Sequence, residues 1–72
     1  MNHFMHPHAV HRLFRPLAEK AVEAGWSLRK TKNNHIQWLG PEGARVYSAS
    51  TPSDYRAVLN IRSELRKRGL RI

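Results

Sequence analysis

Hydrophobic periodicity changes twice along this chain, and those two changes restrict the class of fold open to it. Val10, Leu13, Phe14, Leu17, Ala18, Ala21 and Val22 recur at helical spacing, with Arg12, Arg15, Glu19, Lys20 and Glu23 on the outer side. From Trp26 the spacing drops to two. Trp26 and Leu28, then Ile36 and Trp38, then Val46 alternate with polar neighbours, the pattern of half-buried strands. Helical spacing returns with Val58, Ile61 and Leu65. The implied order is helix, three strands, helix: an α+β class with a three-stranded antiparallel sheet. Both helices are expected on one face of it, because the apolar side of the sheet is the only surface large enough to bury two stripes.

Turn and stop residues sharpen the boundaries. Gly25 and Gly69 stand just past the two helical stretches, where a left-handed residue ends a helix. Pro16 removes a backbone donor inside the first stripe, so either a kink or a helix start near Arg15 is expected. Lys32-Asn33-Asn34 and Gly40-Pro41-Glu42-Gly43 read as the two hairpin turns. Thr51 reads as the cap of the second helix, Pro52 as its first residue and Asp54 as a capping-box acid. Residues 1–8 lack periodicity and read as a mobile tail, which leaves residues 9–72 as a single domain.

Seventy-two residues hold one small core and no separate cofactor domain, so no small-molecule cofactor is expected. The absence of cysteine excludes disulfide staples and thiolate metal clusters, and suits a reducing cytoplasm. No apolar run approaches the ~18 residues of a membrane span, and no membrane partner is expected. Thirteen Lys and Arg against five Asp and Glu give a formal charge of +8. That excess points to a polyanion: nucleic acid, an acidic protein partner or anionic lipid. Nine of the thirteen cations are arginine, whose planar fork grips phosphate bidentately.

The polar side of the predicted sheet carries Arg29, His35, Gln37, Arg45 and Tyr47. Histidine works in either protonation state near neutral pH, so His35 is a candidate for acid–base chemistry, beside the plainer reading of a half-exposed strand histidine. Arg29 and Arg45 are the candidates to bear charge on the phosphate, with Lys30 and Lys32 beside them. On the second helix Arg56, Asn60 and Lys67 point away from the apolar stripe, placed to track a phosphate backbone. Tyr47 is the stacking candidate, whereas Trp38 is expected to pack. His3, His6, His8 and His11 have the chemistry to collect zinc, but no carboxylate stands near to orient them, and no metal site is assigned.

In chain order these residues resemble a known family. Gly25-Trp26 opens a strand, Leu28 follows, then basic Arg29, Lys30 and Lys32, then Asn33-Asn34-His35, Trp38, Gly43-Ala44-Arg45-Val46 and the closing LRKRGL of residues 65–70. The pattern, over about residues 13–70, is similar to the HicA toxin family, including members carried by phages and mobile elements. The resemblance implies a double-stranded-RNA-binding-domain-like fold and a metal-independent mRNA interferase with His35 as its catalytic histidine. It also implies an acidic antitoxin-like protein over the basic face. In that family Gly-Ser precedes the histidine, where this chain has Asn33-Asn34. Two alternatives stand beside it: a non-catalytic RNA- or DNA-binding module, and a phage-type protein that binds an acidic host protein.

Overall fold

Pro16 sets the start of the first helix. Its ring fits the opening turn, where a missing N–H costs nothing, and the regular helix runs from the residue before it. In the computed structural model, which describes residues 4–32 and 35–72, this is α1 (Arg15–Glu23). It is followed by β1 (Ser27–Lys30), β2 (His35–Leu39), β3 (Arg45–Ala49) and α2 (Tyr55–Lys67). The strands pair antiparallel in the order β1-β2-β3, so the α+β class and the sheet are as the periodicity predicts. The predicted turn at Asn33-Asn34 lies outside the described residues.

Both helices end in the same way. Gly25 and Gly69 adopt φ of +93° and +105°. After α1 the amide of Trp26 donates to the Ala21 carbonyl at 2.9 Å and that of Gly25 to Val22 at 3.0 Å. After α2 Leu70 donates to Leu65 at 3.0 Å and Gly69 to Arg66 at 3.1 Å. These are two Schellman motifs, and in each the apolar residue after the glycine turns back into the core with its bonding partner. The start of α2 differs from the sequence expectation. Asp54, not Thr51, is the cap: its Oδ1 accepts from the Ala57 amide at 3.2 Å, and Pro52 is buried ahead of the helix.

Leu17, Ala18 and Ala21 of α1, Val58 and Leu65 of α2, and Leu28, Ile36, Trp38 and Val46 of the sheet form one apolar cluster, closed by Val10, Phe14, Trp26 and Leu70. Arg29, His35, Arg45 and Tyr47, on the opposite side of the pleat, are exposed. The helices therefore share one face and leave the other open. Trp38 sits at the centre with no exposed surface; its Nε1 donates to Ser48 Oγ at 2.9 Å, and Phe14 meets its ring edge-on at 5.8 Å. Trp26 lies against Gly40 so closely that a Cβ there would fall 2.7–2.8 Å from the indole ring.

The segment read as a tail also makes contacts with the sheet. The Met5 amide donates to the Leu28 carbonyl at 2.7 Å, Phe4 bridges to Arg29 antiparallel, and Met5 packs on the core. Pro7–Ala9 then forms a short 3₁₀ turn. The outer edge of β1 offers unpaired backbone groups, and two residues suffice to occupy part of it without any periodic pattern.

Gly40 has ordinary extended angles, so the cost of Gly40→Ala is steric alone. We expect a loss of about 1–3 kcal/mol in urea denaturation. In a Trp26→Leu background the same change should cost only a few tenths, and equal costs in both backgrounds would refute the contact. Deleting residues 1–6 should lower stability by about 1–3 kcal/mol, through the lost backbone bond and Met5 packing. An unchanged midpoint would show that the segment adds nothing.

Candidate nucleic-acid interface

Strand register decides which of the candidate residues meet. Arg29 pairs with Gln37 and Gln37 with Tyr47, so these three form a row straight across the open face. His35 pairs with Ala49 and accepts a 2.8 Å hydrogen bond at its carbonyl from the Thr31 amide. It thus lies one step along from the row, with Arg29 and Tyr47 as diagonal neighbours at roughly 7–8 Å in ordinary sheet geometry. His35 is exposed at the start of β2. Gln37, expected on a wet surface, is only 8% exposed; its Nε2 donates to Tyr47 Oη at 2.8 Å, which satisfies one end of the amide and holds the phenol in place.

Arg45 does not join this group. It pairs with Leu39, at the far end of β2 from His35, four positions along β3 from His35's partner Ala49. At ~3.4 Å per residue that is about 14 Å, roughly twice the diagonal spacing of Arg29 from His35. Lys30 pairs with Ile36 and takes the opposite side of the pleat from Arg29. It remains exposed at the strand end, and with Arg29, Thr31 and Lys32 it borders a shallow depression shared with Gln37 and Tyr47. Among the described residues of the three strands, no carboxylate stands on the open face.

Arg56, Asn60 and Lys67 are exposed, on the side of α2 away from buried Val58 and Leu65. Asn60 also borders a pocket with Ser48 and Ala49, at the end of β3 where Ala49 pairs with His35. Sequence spacing aligned these residues on one helix face but could not show how that face stands to His35. Lys67 also lies 3.8 Å from Glu64, a solvent-exposed contact of little energetic weight. Between the helices, Leu13, Leu17, Tyr55, Val58 and Leu59 line an apolar groove with Lys20 and Arg62 among its walls.

Two of the N-terminal histidines serve the backbone. His6 Nδ1 accepts from the His8 amide at 3.2 Å, with the His6 and His8 rings stacked 5.1 Å apart, and His11 Nδ1 accepts from Leu13 at 3.1 Å. His3 lies outside the described residues. Sequence reasoning missed the place of Phe4, whose bridge to Arg29 extends the row Arg29–Gln37–Tyr47 by one position. Its only signal was an aromatic followed by an apolar residue in a polar segment. No helix among the described residues is long and apolar enough to cross a membrane. No family model, curated protein or solved structure matches this chain.

Proposed function

We propose that this protein binds RNA across the open face of its sheet and cleaves it there through His35, in the manner of the HicA family that its sequence resembles. The observation that carries this reading is a strand surface bearing Arg29, His35 and Arg45 with no carboxylate among its described residues. Such a surface attracts phosphate, and the nucleic acid gives up condensed counterions when the two bind. The guanidinium of Arg29 is the neighbour best placed to bear charge developing on the phosphate next to His35. In the reaction the 2′-oxygen attacks phosphorus as His35 takes the 2′-hydroxyl proton. The bond to the 5′-oxygen breaks, and the imidazolium returns its proton to that leaving oxygen. The products are a 2′,3′-cyclic phosphate and a 5′-hydroxyl. Arg56 and Lys67, exposed on α2, add to the long-range field.

A second reading rests on the groove between α1 and α2. Tyr55 and Leu59 are exposed large apolar residues there, with Lys20 and Arg62 beside them. An acidic polypeptide that seats apolar side chains in this groove would make the protein an interaction partner. Leu59→Lys should abolish such binding and leave RNA binding intact.

For the first reading, RNA affinity should fall linearly on a log–log plot against salt. Arg29→Ala with Arg45→Ala should flatten that slope by roughly 1.4, the value for two phosphate contacts on a single strand. Arg56→Ala with Lys67→Ala should change it less. Cleavage should persist in EDTA. His35→Ala should slow it by ~10²–10⁴-fold while affinity stays nearly unchanged. A salt-independent affinity would refute the binding surface, and equal cleavage by His35→Ala would refute the catalytic assignment.

A further inference from the structure

The row across the open face has an aromatic side chain at each end. Phe4 bridges to Arg29, Arg29 pairs with Gln37, and Gln37 pairs with Tyr47. Paired residues in a sheet share a face, so all four side chains stand on the side that the helices leave open. Phe4 is 54% and Tyr47 57% exposed. Met5, the next residue along, turns the other way and packs on the core. Exposing one apolar ring needs no explanation; two in register, with an arginine between them, form a surface with a defined ligand chemistry.

We infer that this row is a base-stacking platform selective for single-stranded nucleic acid. The inference rests on the binding reading above and narrows its substrate. Three inter-strand steps of ~4.8 Å put the two ring-bearing residues about 14 Å apart. An unstacked strand crossing the sheet lays a base on each ring with roughly one nucleotide between them, over Arg29 and Gln37. Arg29 meets the intervening phosphate or the face of the middle base. The bond from Gln37 Nε2 to Tyr47 Oη holds the second ring before a base arrives. His35, diagonal to both Arg29 and Tyr47, then lies beside the backbone between stacked nucleotides. A duplex cannot use this surface, because its base faces are already stacked on one another.

The test is fluorescence anisotropy at low salt in EDTA with three probes of equal length: labelled oligouridylate with 2′-methoxy groups to block cleavage, labelled oligothymidylate, and a self-complementary RNA duplex. Both single strands should bind on the order of tenfold or more tighter than the duplex. Phe4→Leu and Tyr47→Ala should each weaken single-strand binding by roughly 5- to 100-fold, the range for one lost base stack. Tyr47→Phe should retain most of the affinity, and Phe4→Leu keeps an apolar residue at the edge, so its loss is not one of folding. A 2-aminopurine base in the strand should be quenched on binding to the wild type and less so on binding to Phe4→Leu. Duplex binding as tight as single-strand binding, with both aromatic variants unaffected, would overturn the platform and leave the polyanion reading standing. No binding to any probe would overturn both. Equal capture of polyglutamate, lost in the same two variants, would make the row a protein-docking surface and overturn the inference.

Discussion

The hydrogen bond from Trp38 Nε1 to Ser48 Oγ joins the core of this molecule to its register. Trp38 is the largest fully buried side chain, and its indole N–H would be costly to leave unpaired so far from water. Ser48, on the adjacent strand and on the same side of the pleat, supplies the one acceptor it bonds. The pairing of Trp38 with Val46, and of Ile36 with Ser48, is thereby held against slippage. A slip of one residue between β2 and β3 would carry Ser48 to the open face and Tyr47 into the core. Phe14, edge-on to the same indole, ties the segment before α1 to this point.

The open face inherits its composition from that constraint. Once even-numbered residues of β2 and β3 point inward, His35, Gln37, Arg45 and Tyr47 must point outward, and the pairing of β1 adds Arg29 to them. Both helices pack on the other side of the sheet, so this face stays available. Positive charge stands both on the open pleat, beside a histidine and aromatic rings, and along the exposed side of α2. The pleat combines that charge with groups that can stack on a base and move a proton.

Much of this architecture was legible because the deciding signals are local. Pro16 fixes where α1 can begin, Gly25 and Gly69 supply left-handed stops, and alternation about Ile36 and Trp38 separates the two sheet faces without knowledge of their partners. Pairings between distant residues carry no such mark. Phe4 and Met5 reach the β1 edge through one backbone bond and one bridge, too short a stretch to show any period. Ser48 gives no sign in sequence that it satisfies a buried indole. Arg45 shares a face with His35, as alternation predicts, yet the hairpin register carries it to the far end of the strand. Thr51 and Asp54 both have the chemistry to cap α2; burial of Pro52 before the helix leaves Asp54 in the capping position.

The central claim is that the open face of the sheet, rather than the outer side of α2, meets nucleic acid. Titration of isotope-labelled protein with a short uncleavable single-stranded RNA, followed by amide and side-chain chemical shifts, tests it most directly. The expected result is perturbation concentrated at Phe4, Arg29, His35, Gln37 and Tyr47, including the Gln37 side-chain amide, with Arg56 and Lys67 nearly unmoved. Shifts confined to α2, with the β1–β3 row unchanged, would contradict the account.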